Sequence, residues 1–186
     1  MNEYLLLKFL HIVAFVYWLG GDLGTFLASK QVINRNIGVE ARAVALKIML
    51  ACDQGPKMSM PLILPLGINI AYLSGVLSMP LWVVALVWLL AAVWLINVLV
   101  LYFNEGKDFT KSLSQFDLAF RIVVVIALLG WAIAGLSTGQ FFNGDWLAWK
   151  IIVFAILVCC GIAIRIQLKP FVPAFTRMMT EGASNE

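Results

Sequence analysis

Apolar residues run along this chain in blocks of about twenty, separated by short polar stretches. Five blocks stand out: Tyr4 to Leu27, Met60 to Leu77, Leu81 to Phe103, Leu118 to Ser137 and Trp146 to Ile166. At about 1.5 Å of rise per residue, each is long enough as a helix to cross roughly 30 Å of hydrocarbon. The pattern predicts an all-α fold, a polytopic membrane helical bundle of about five transmembrane helices. Only Ser78, Met79 and Pro80 separate the second block from the third, and the proline favours a tight turn between antiparallel helices. The stretch between the first and second blocks carries Lys30, Arg35, Arg42, Lys47 and Lys57 against Glu40 and Asp53. Within it Val39, Ala43, Leu46 and Leu50 recur at helical spacing, which predicts an amphipathic helix on the membrane surface.

Composition removes the soluble alternative: 62% hydrophobic residues, 12% charged residues and a mean hydropathy of +0.95 do not coexist in soluble domains. A chain of 186 residues accommodates about five spans and their connections, so residues 1–186 are expected to form a single transmembrane domain. The start, MNEYLLLKFLH, shows neither a basic n-region nor a small-residue cleavage site, so the first block is expected to be a retained span. No Walker loop, no dinucleotide-binding glycine pattern and no basic tract for nucleic acid occurs.

The net charge of +3 matters less than its placement. Five basic residues lie in the first connection, Lys107 and Lys111 in the third, and Lys169 and Arg177 in the tail, while the second connection and the fourth, Gly139 to Asp145, carry none. Because Lys and Arg accumulate on the cytoplasmic side, the N-terminus is expected outside and the C-terminus inside. Lys8 is the one exception, close enough to the boundary to snorkel. Tyr4, Trp146 and Trp149 then fall at the outer interface and Tyr102 at the inner.

His11 is the only histidine, and it lies inside the first span, about two turns below the outer surface. An ionisable, ligating side chain at such a depth is a functional candidate. One histidine per chain also excludes any two-histidine ligand set within a subunit. Tyr4, His11, Phe15, Trp18 and Asp22, at spacings of seven, four, three and four, share one narrow helical face. Gly20, Gly24 and Ala28 occupy another, where a second helix backbone can approach closely. Lys150 lies one turn inside the fifth span, at the depth of His11, where its ammonium could hold an anionic group of a ligand. Near the inner boundary Asp117 and Arg121 are four apart and can pair, and Asp22 is expected to use Arg121 or Lys57. Met58, Met60, Cys159 and Cys160 are soft enough for Cu(I), but adjacent cysteines point to different sides of a helix, and the methionines are expected far from His11. Cys52, with the other two cysteines, implies no disulfide framework. Pro61 and Pro65 should free backbone carbonyls in the second span.

The stretch LKFLHIVAFVYWLGG, Leu7 to Gly21, resembles the first-helix signature of a loose group of bacterial inner-membrane proteins: a Leu-His pair, a tryptophan seven residues on, then a small-residue pair. The group includes the membrane domain of copper-resistance D (CopD) proteins and the HemJ-type protoporphyrinogen oxidases. GDWLAWKIIVFAILV, Gly144 to Val158, is similar to a late helix of the same group, with a lysine after a tryptophan-leucine start. The resemblance implies a bacterial inner-membrane location, haem b associated with His11, and a requirement for Lys150. The chain departs from the HemJ type in lacking the arginine and histidine after the glycine pair and in having five expected spans rather than four. The leading expectation is therefore a haem b or porphyrin-binding redox protein with His11 as axial ligand, Lys150 meeting a propionate, and Trp18 and Phe15 lining the ring. A CopD-type copper transporter, with His11 as a metal ligand, and a non-catalytic subunit of a membrane complex are the alternatives. Expected partners are the lipid bilayer together with a redox protein, further complex subunits or a second copy of the chain.

Overall fold

A computed structural model describes residues 2–104 and 106–181; the side chain of Lys169, counted above among the tail's basic residues, lies outside the described residues. Among the described residues six helices follow one another: α1 (Asn2–Val32), α2 (Val39–Cys52), α3 (Gln54–Leu73), α4 (Leu81–Phe103), α5 (Phe109–Thr138) and α6 (Asp145–Glu181). Among the described residues the only β pairing is an isolated bridge between Leu77 and Phe142. The chain is an all-α membrane bundle. α1, α4, α5 and the Asp145–Gln167 part of α6 are long and apolar enough to span a bilayer.

The second apolar block forms a helix, but not the expected one. α3 starts before Met60 and ends at Leu73, where Ser74 and the left-handed Gly75 (φ 70°) stop it. It carries Gln54, Lys57 and Asn69 and does not reach the apolarity of the other four. Packing compensates, because α3 lies between α1 and α4 and its Pro61 and Pro65 are fully buried. Protein rather than lipid therefore surrounds its proline-interrupted backbone.

The amphipathic helix is present as α2, with its buried face rotated from the expectation. Ala45 and Met49 are buried and Leu46 partly so, whereas Leu50 is 45% exposed. α2 is gripped from two sides: Ala45 and Met49 meet Ala28 and Val32 of α1 and Phe175 of α6 in one small cluster. Arg42 strengthens the join, its Nε donating to the Val32 carbonyl at the C-terminus of α1 (2.7 Å). A single residue, Asp53, then links α2 to α3 and forms an ion pair with Lys57.

Close approach of α1 to the α2–α3 junction needs glycine, though not at Gly20, beside which there is open space. Gly21 lies against Pro56 and the Cys52 carbonyl, and Gly24 against the Cys52 sulfur. The small-residue face of α1 is thus Gly21, Gly24 and Ala28.

At the opposite end, the α3–α4 and α5–α6 connections are stitched together. Ser78 N–H donates to the Phe141 carbonyl (3.1 Å), Asn143 N–H to the Val76 carbonyl (2.8 Å), and the Asn143 side chain to the Gly75 carbonyl (2.7 Å). Gly139 closes α5 in the left-handed conformation that a helix C-terminus favours (φ 65°). Phe142 then folds back onto Gly135 and Trp131, its ring centroid 5.1 Å from that of Trp131.

Candidate functional site: a cavity walled by α1, α3 and α6

Beneath the stitched loops lies a cavity of about 970 Å³, walled by α1, α3 and α6. This is the upper end of the roughly 300–1,000 Å³ usual for small-molecule and cofactor sites. The stripe on α1 supplies one wall, since Tyr4, His11, Phe15 and Trp18 all face the cavity. The α6 wall is aromatic at its start, with Trp146 and Trp149, and Phe154 lies deeper. Trp18, 5% exposed, meets Phe154 edge to face at 5.7 Å and 85°, closing the cavity at the end away from the stitched loops. α1 and α6 stay apart higher up. The lining residues Ile12, Phe15, Trp149 and Val153 are each about half exposed, so the cavity opens sideways between these two helices.

His11 projects from α1 onto α3. Its ring lies against Gly67, where an added Cβ would stand 3.0 Å from Cε1, and the Ile63 backbone one turn earlier faces the imidazole. Ile63 and Gly67 are four residues apart and so share a helical face. Nδ1 of His11 is buried and has no hydrogen-bond partner among the described residues. A buried polar atom without a partner is costly, and here it belongs to the chain's only imidazole.

Lys150 also lines the cavity, close enough for its charge to act on His11, but it is not buried as expected. Its ammonium sits over the Trp146 ring, 4.8 Å from the centroid, at the edge of the cavity. Lys8, one turn before His11 on α1, lines the same space. The fold therefore brings His11, Lys150, Trp18 and Phe15 around one cavity. It adds Gly67, Phe154 and Lys8, which the sequence pattern alone does not place there. The spacing of Ile63 and Gly67 was a visible signal, but nothing local says which helix that face meets.

Asp22 does not pair with Arg121 or Lys57. The Trp18 indole, one turn earlier on the same stripe, faces the Asp22 carboxylate, and Lys57 is engaged by Asp53. Arg121 belongs to a separate buried cluster. Asp117 accepts from Arg121 Nε (2.9 Å), from Arg165 of α6 and from Asn97 of α4 (3.3 Å). Arg165 also donates to the Ser114 carbonyl and hydroxyl (2.8 and 2.6 Å), and Arg121 stacks over Trp94 and reaches the Met60 sulfur. Cys159 and Cys160 are exposed on α6, and all three cysteines are free.

The donor set bears on which group could occupy the cavity. No cluster of three or more His, Cys, Asp or Glu able to hold a metal ion occurs among the described residues, and the cavity lining includes no Met or Cys. A bare ion would rely on His11 with little help. A macrocycle that carries its own equatorial nitrogens needs only one protein ligand, and a single imidazole on the cavity wall with the aromatic residues around it fits such a group. No family model matches the chain, and no curated protein or solved structure matches it.

Proposed function

We propose that this chain is a haem b- or porphyrin-binding redox protein of the bacterial inner membrane, with its N-terminus outside, its C-terminus inside and its pocket in the outer half of the bilayer. The observation that carries the reading is a single imidazole, packed against α3 through its Nδ1 side, on the wall of a cofactor-sized cavity lined by tryptophan and phenylalanine. His11 would hold the haem iron, and its ring, lying against Gly67, has little freedom to turn. Trp18 and Phe15 provide flat apolar surface along α1, and Trp18 with Phe154 keeps water from the inner side out of the pocket. Lys150 sets a positive charge at the edge, where an anionic substituent can meet it without leaving water. When bound, a haem supplies one-electron chemistry that none of these side chains offers.

The test is spectroscopic. Purified protein reconstituted with haem b is expected to show a Soret band, and His11→Ala to lose or strongly shift it while keeping its helical circular dichroism. A wild-type protein that takes up no haem, or a His11→Ala variant with an unchanged spectrum, overturns the reading.

A further inference from the structure

Two cations face the cavity from opposite walls, Lys8 on α1 and Lys150 on α6. Among the described residues neither is in an ion pair with a carboxylate, whereas Lys57, Lys111, Arg121 and Arg165 each are. Lys150 is held over Trp146 instead, with its ammonium free to donate. Lys8 is three residues from His11 and therefore on the same side of α1 as the imidazole. Below the two ammonium groups the walls are apolar and aromatic. The arrangement is an apolar, aromatic cleft with one lysine on each of two walls.

From this we infer that Lys8 and Lys150 form a carboxylate clamp, one lysine for each of two acidic groups, so that the pocket selects a flat, ring-shaped dicarboxylate over the same ring with its acids esterified. The inference rests on the porphyrin reading above and extends it to Lys8. Haem b and metal-free protoporphyrin IX both carry two propionates on adjacent edge positions. A ring seated between α1 and α6 brings those to the lysines while the rest of it meets only apolar surface. Because neither lysine is covered by protein, each contributes a modest share, and charge reversal reads the effect better than truncation.

The probes are haem b, protoporphyrin IX and protoporphyrin IX dimethyl ester, titrated by tryptophan quenching into the full chain in nanodiscs of neutral phosphatidylcholine. Wild-type protein is expected to bind the diacid at least about fivefold more tightly than the ester. Lys8→Glu and Lys150→Glu should each weaken diacid binding by about fivefold or more and leave ester binding unchanged, and Lys8→Arg should behave as wild type. Equal affinity for diacid and ester, or loss of both ligands alike in Lys8→Glu, overturns the clamp while haem binding by the wild type leaves the porphyrin reading in place. Failure of the wild type to bind any of the three removes both.

Discussion

Arg165, just past the middle of α6, forms an ion pair with Asp117 of α5, a residue 48 positions earlier whose carboxylate Arg121 already engages. Asp117 is 2% exposed and Arg121 8%, so the cluster holds one negative and two positive groups within the bundle. Removing the single anion leaves two guanidinium groups facing each other. Asp117→Asn is expected to destabilise the protein by about 3–5 kcal/mol. Arg165→Met should cost clearly less, because the Asp117–Arg121 pair survives it. Thermal unfolding in detergent checks the order, and equal losses in the two variants would contradict it.

The Trp18 indole faces the Asp22 carboxylate one turn later along α1. Trp18→Phe keeps an aromatic ring against Phe154 but removes the indole donor, and a loss of about 1 kcal/mol is expected. In a double-mutant cycle Trp18→Phe and Asp22→Asn should be non-additive, whereas Arg121→Ala and Asp22→Asn should add. Coupling between Arg121 and Asp22 would show that the carboxylate has a partner other than the indole.

Gly67 sets the position of the imidazole. Gly67→Ala asks the His11 ring to shift by a few tenths of an ångström, and Gly67→Leu places a branched side chain where the ring now lies. The larger change is expected to push His11 away from α3 at a cost of about 1–3 kcal/mol. With a single histidine, carbethoxylation by diethylpyrocarbonate reports on one site, and its rate should rise in Gly67→Leu. An unchanged rate would mean that Gly67 does not hold the ring.

The proposed orientation follows from the basic residues of the first and third connections. In a background without the three native cysteines, Gln140→Cys is expected to react with an impermeant thiol reagent applied to intact cells, and Ser112→Cys only after lysis. The reverse pattern would place His11 in the cytoplasmic half.

The limits of the sequence fall where non-local packing takes over. α4 coincides with its apolar block, Leu81 to Phe103, because Pro80 marks its start and the polar Asn104 its end. The α1 stripe was legible for a similar reason, since 3.6-residue periodicity puts Tyr4, His11, Phe15 and Trp18 on one face whatever that face meets. The extent of α3 was not, because its apolar block contains Pro61 and Pro65 while its first turns are polar and depend on burial by α1 and α4. The buried face of α2 depends on Phe175, more than a hundred residues away by sequence number. Arg165 stands alone in an apolar run, and nothing near it in sequence announces Asp117. The lysine pair combines both cases: Lys150 was visible through its depth, while Lys8 looked like a stray charge until α6 was placed opposite it.

The sideways opening between α1 and α6, under loops that are hydrogen-bonded to each other, also decides how occupancy should be measured. A ligand reaching such a cleft arrives dissolved in the leaflet, so its mole fraction in lipid, not its molarity in buffer, sets how much is bound. Diluting the protein at a constant lipid-to-ligand ratio should leave occupancy nearly unchanged. Adding empty vesicles should drain the cleft even though the total ligand present stays the same.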